Sequence, residues 1–99
     1  MINIFLDDVR SAPSSWLRTR TADETITMLK HYEGGVNTLS LDHDLGLEKT
    51  GYDVLLFLEQ QLFEYNNKDI IPKQLKVHSA NPVGIDRMNA AINNINRRR

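Results

Sequence analysis

The sequence predicts a small α/β domain built on a mostly parallel sheet of about four strands with three helices. Short apolar runs alternate with stretches whose apolar residues recur at helical spacing, the pattern that generates parallel strands joined by right-handed crossovers. Three of the apolar runs stop at polar clusters: Asp7-Asp8 in IFLDDVR, Asp42-His43-Asp44 in LSLDHDLG, and His78-Ser79-Ala80-Asn81 in KVHSANPVG. In an open α/β sheet ligands bind at the carboxyl ends of the strands, so clusters far apart in sequence are expected to converge in one crevice.

Ile2 to Leu6 is a continuous β-branched, aromatic and apolar run, which suits a buried parallel strand. Arg10 to Ser15 is turn-rich, and Trp16 to Thr19 has the composition of a short second strand. Thr21 and Glu24 have the spacing of a capping box at the start of a helix that should end near Gly34-Gly35. Val36 to Leu41 alternates and reads as the next strand. After the loop HDLGLEKTG, Thr50 or Gly51 caps a helix from about Tyr52 to Tyr65, with Val54, Leu55, Leu58, Leu62 and Phe63 at helical spacing. Leu75 to Val77 forms a short strand into His78, and Val83 to Ile95 a last helix carrying Ile85, Met88, Ala91, Ile92 and Ile95. Periodicity leaves open whether the helices lie on both faces of the sheet or mainly on one.

At 99 residues the chain has room for one domain, and its 40% hydrophobic content is enough for one modest core. The net charge of −1 and a pI near 6.3 give no extended surface for wrapping nucleic acid, so any such contact must be local. There is no cysteine for a disulfide, no secretory signal and no apolar stretch long enough to span a bilayer. A cytoplasmic protein is the expectation.

The clusters point to a divalent metal and phosphate chemistry, because hard cations take oxygen ligands and adjacent aspartates at a strand end supply them. Asp7 and Asp8 would face opposite sides if the pleat continued, so one of them can be a ligand while the other caps the turn. Alternation likewise puts Asp42 and Asp44 on one side of the strand and His43 on the other, where it is either a ligand-facing imidazole or a satisfied structural one. His78 with Ser79 at a second strand end favours a phosphate-side site. Asn81-Pro82-Val83-Gly84 leads into the last helix, whose free amides favour an anion, although an ordinary turn fits the same residues. Arg10 is the best-placed cation, for a phosphate or for one of the aspartates. Thr50 is a helix cap close enough to touch phosphate. Arg97-Arg98-Arg99 reads as a frayed charged tail.

Taken in order, FLDDVR, RTADETI, SLDHDLG, TGYDV and HSANPVG, with Met88 four residues later, resemble the cyclic-phosphate-processing receiver domain family over nearly the whole chain. The family is a divergent relative of response-regulator receivers found in bacteria and phages, and the resemblance implies a truncated receiver-like, flavodoxin-like fold. It makes Asp7 and Asp8 the metal-binding acid pair, Asp42 the counterpart of the phosphoacceptor, and Ser79 the small hydroxyl residue after the fourth strand. A receiver also needs a lysine at the end of a further strand, which the sequence does not provide, and His43 and His78 stand where ordinary receivers have none.

These readings converge on a metal-dependent phosphohydrolase acting on a cyclic nucleotide or a 2′,3′-cyclic phosphate RNA end. Asp7, Asp8, Asp42 and Asp44 would hold Mg²⁺ or Mn²⁺, and Asp42, His78 and His43 would do the chemistry, with an imidazole as general acid or base. Arg10, Ser79, Asn81 and Thr50 would bind phosphate oxygens. The rivals are a receiver-like module that binds a metal and a phosphorylated ligand or protein without turnover, and a plain phosphoacceptor at Asp42. No aromatic residue can be assigned to the site, so base, sugar and ring size stay open.

Overall fold

A computed structural model of the chain describes residues 1–43, 49–78 and 82–99. The elements follow in the order β1 (Ile2–Leu6), β2 (Leu17–Thr19), α1 (Ala22–His31), β3 (Val36–Leu41), α2 (Gly51–Phe63), β4 (Gln74–Val77) and α3 (Pro82–Arg98). The four strands pair in parallel in the order β2-β1-β3-β4, which matches the first four positions of the flavodoxin-like order. No helix of the described residues is long and apolar enough to cross a membrane.

The three helices lie on one face of the sheet. Both β2→β3 and β3→β4 travel in the same direction across it, and right-handed crossovers with the same sense of travel land on the same side. The contacts agree: α1 packs on β1, β2 and α2, and α3 packs on α2 and β4. The covered face presents Ile4 and Leu6 beside Leu39 and Leu41, all fully buried, with Leu75 and Val77 next in register. Leu29, Val54, Leu55, Leu58, Met88 and Ile95 meet them from the helices. The opposite face, by the same register, presents Asn3, Phe5, Arg18, Thr38, Ser40, Gln74 and Lys76. Near the start of β3 the register shifts between Ile2 and Asn3, and Asn3 Oδ1 accepts the Thr38 N–H at 3.2 Å, so the irregular backbone stays satisfied.

Local signals fix the helix starts. Thr21 caps α1 by accepting the Glu24 N–H at 3.0 Å, while Glu24 reaches back to the Arg20 N–H. Thr50 caps α2 in a capping box, its hydroxyl accepting from Tyr52 N and Asp53 accepting the Thr50 N–H at 2.6 Å. Helix α1 stops at His31 with Tyr32 as its C-cap, and Gly34-Gly35 belong to the turn that follows, where the Gly35 carbonyl receives the Ile2 N–H.

The C-terminus departs from the expected frayed tail. Arg97 and Arg98 continue α3 past Ile95, Arg98 lies over the Phe63 ring at 4.6 Å, and the Arg99 guanidinium donates to the carbonyls of Pro72 and Lys73 and to Asn96. A guanidinium has enough donors to collect the carbonyls of a neighbouring turn, which a charge count along the helix does not reveal.

Candidate functional site

Because all four strands are parallel, the residues that follow β1, β3 and β4 emerge along one edge. They are Asp7, Asp42 and His78, and each backbone N–H remains tied to the neighbouring strand: Asp7 N donates to Thr19 O, Asp42 N to Leu6 O and His78 N to Leu41 O, all at 3.0 Å. Three sequence-distant groups are thereby fixed before any side chain contributes.

Asp7, Asp8 and Asp42 come together, with one potential ligand atom from each lying within 4.8 Å of the others. Three carboxylates with convergent oxygens fit a hard divalent cation, and bringing them this close without one carries a repulsive cost. Asp7 and Asp8 both contribute because the chain bends immediately after Leu6. The Asp7 side chain makes the bend: Oδ1 accepts the N–H groups of Val9 at 2.9 Å and Arg10 at 2.8 Å. Ligand and turn cap are therefore compatible in one residue.

Asp7 is almost fully buried, at 1% exposure. Burial pushes its carboxyl up, but the backbone N–H groups of Arg10 and Val9, together with His78, outweigh it and hold the group below the ordinary aspartate value. The remaining oxygen, Oδ2, lies 3.2 Å from His78 Nε2, and the other ring nitrogen, Nδ1, lies 2.7 Å from Ser40 Oγ. The His78 ring stacks on Phe5, centroids 4.1 Å apart and planes 4° from parallel, and Trp16 meets Phe5 edge-on. Burial lowers the His78 pKa below the usual histidine value, against the opposing pull of Asp7 and Asp42.

The two histidines occupy opposite sides of the sheet. His78 sits on the open face, above Ser40 and Phe5. His43 lies against the first turn of α3, where a Cβ on Gly84 would fall 2.5 Å from its ring. This is the divergence that strand alternation predicts. Arg10 donates from Nη1 to the His78 carbonyl at 3.0 Å, with its Nε 4.0 Å from Asp7 Oδ2, and its side chain stays more than half exposed. Arg18 donates to the Asp7 carbonyl. Thr50 is occupied by the cap of α2. Asp44, Ser79 and Asn81 lie outside the described residues.

Two residues around His78 went unassigned in the sequence. Phe5 and Ser40 are each two positions before an acid of the site, so period-two alternation along their strands was the signal for both. Phe5 also supplies the aromatic neighbour that sequence reading could not place.

Compared with known protein families, residues 2–94 match the cyclic-phosphate processing receiver domain. The chain belongs to this family. The match covers every strand and most of the last helix, so the receiver-like fold and the acidic strand ends belong to the same unit. No match was found among curated proteins or among solved structures.

Proposed function

We propose that this receiver-like domain processes a cyclic phosphate, a cyclic nucleotide or a 2′,3′-cyclic phosphate RNA end, with a divalent cation held by Asp7, Asp8 and Asp42. The observation that carries the reading is the convergence of those three carboxylates at the carboxyl edge of the sheet in a chain of this family. Mg²⁺ or Mn²⁺ suits all-oxygen ligation, and such an ion, when bound, polarises a phosphoryl oxygen and lowers the pKa of a water ligand. Arg10 has guanidinium donors left beyond its bond to the His78 carbonyl, and these are available to nonbridging phosphate oxygens. Asp44 joins this reading as a further metal ligand, and Ser79, Asn81 and Thr50 as phosphate contacts.

The imidazoles divide the work. Both ring nitrogens of His78 are engaged by Asp7 and Ser40, which favours a role in holding Asp7 over one in moving protons. His43, which directly follows Asp42 in the sequence, is the imidazole assigned to proton transfer in this reading. The engagement of both His78 ring nitrogens also favours a second reading, a module that binds a metal and a phosphorylated ligand without turnover.

Phosphorus NMR of a panel of 2′,3′- and 3′,5′-cyclic nucleotides and a cyclic-ended RNA, with Mg²⁺, Mn²⁺ or chelator, separates the two. Metal-dependent ring opening that is lost in Asp42→Asn supports processing. Binding of nucleotide with no ring opening under any metal establishes the module instead.

A further inference from the structure

Ser40 lies inside β3, two residues before Asp42, on the face of the sheet that carries no helix. It is a small polar residue at 7% exposure, and its hydroxyl is 2.7 Å from His78 Nδ1. His78 Nε2 is in turn 3.2 Å from Asp7 Oδ2. Serine, histidine and aspartate from three different strand ends or interiors thus form one continuous hydrogen-bonded chain.

We propose that Ser40 is a positioning residue of the acidic site, holding the orientation of the His78 ring and through it the one oxygen that Asp7 presents to a cation. An ionised carboxylate only accepts, so the proton between His78 and Asp7 belongs to Nε2. Nδ1 of the neutral ring is then an acceptor, and the Ser40 hydroxyl is its donor. Stacking on Phe5 fixes the ring plane, and the bond to the Ser40 hydroxyl fixes the rotation of the ring within that plane, so that Nε2 stays on Asp7 Oδ2. The acceptor account of Asp7 follows. Oδ1 is filled by the Val9 and Arg10 N–H groups and Oδ2 takes one bond from His78, which leaves a single lone pair, on Oδ2, for a metal. Without the hydroxyl only the stack on Phe5 would hold the ring, and Nε2 could swing off Oδ2 and release the carboxylate from the place it holds beside Asp8 and Asp42. The cation part of this inference rests on the function proposed above, whereas the hydroxyl–imidazole–carboxylate chain does not.

Nitrogen-15 NMR of the His78 ring at pH 7.5, paired with Mn²⁺ titration, tests both parts. The wild-type ring is expected in the Nε2–H form. Ser40→Ala should shift the Nδ1 resonance through loss of its hydrogen bond and weaken Mn²⁺ binding about tenfold, the effect usual for loss of a group that supports a ligand, and Ser40→Thr should restore both readouts. Ser40→Cys, which keeps the volume and weakens the donor, carries the comparison if Ser40→Ala does not fold. An Nδ1–H ring in the wild type, or an unchanged ring spectrum in both Ser40→Ala and Ser40→Cys, overturns the proposal. Wild-type protein that shows the Nε2–H ring but binds no Mn²⁺ defeats the cation reading alone, and the Nδ1 resonance of the Ser40 variants then decides the role of Ser40.

Discussion

The two oxygens of the Asp7 carboxylate do different things: Oδ1 closes the turn after β1, and Oδ2 faces His78 and the other acids. This arrangement makes stability depend on pH. Asp7 and His78 both have folded-state pKa values below their ordinary ones, so the unfolded chain takes up these protons more readily than the folded chain does. The His78 contribution is complete above its unfolded value of 6.5 and is lost as pH falls through the lower folded value, and the Asp7 contribution is lost in the same sense below 3.8. Urea unfolding at pH 7.5 and 5.5 should therefore show the wild type weakening on acidification, with a smaller decline in His78→Gln. Equal declines in the two proteins would mean that His78 is not held neutral by the fold. At this scale the convergence of Asp7, Asp8 and Asp42 was legible because acids directly after an apolar strand run fall at the carboxyl edge of a parallel sheet. Ser40 was not, because a serine within VNTLSL reads as one more polar residue of an alternating strand until the tertiary fold brings His78 over it.

The elements are placed by close approaches as much as by apolar faces. Helix α2 starts so near the end of β3 that a Cβ on Gly51 would lie 2.0 Å from the Asp42 carbonyl oxygen, and backbone on both sides leaves nothing flexible to move aside. Gly51→Ala should destabilise the protein by about 1–3 kcal/mol, the usual cost of overpacking, and should reduce Mn²⁺ affinity because Asp42 is the residue displaced. Thermal melting and metal titration of the variant check the two effects, and a wild-type melting temperature would show that the helix start relaxes freely. Helix starts were readable in the sequence from Thr21-x-x-Glu24 and from Thr50 or Gly51, since capping is a local hydrogen-bond pattern, and the structure adds Asp53 to the cap at Thr50. Helix ends were read less well: α1 stops three residues before the glycine pair, and α3 runs on through Arg97 and Arg98. Those boundaries depend on what the turn touches, Asp69 for Gly34 and Phe63 for Arg98, and such partners are remote in sequence.

At the scale of the whole molecule, three helices on one face leave the other face of the sheet to Asn3, Phe5, Thr38, Ser40 and their neighbours, and the candidate site lies where that open face meets the carboxyl edge. The α/β class and the strand-end convergence were legible because parallel strands send all their C-terminal residues to one edge. The side taken by the helices was not, because it follows from the spatial order β2-β1-β3-β4, and strand order leaves no trace in periodicity. The central claim is that this edge gathers Asp7, Asp8 and Asp42 into one cation site. Calorimetric titration of Mn²⁺ into wild type and Asp42→Asn, a substitution that keeps the volume and removes the charge, tests it most directly. One site in the wild type and at least tenfold weaker binding in the folded variant is the predicted result, and equal affinity in the two proteins would contradict it.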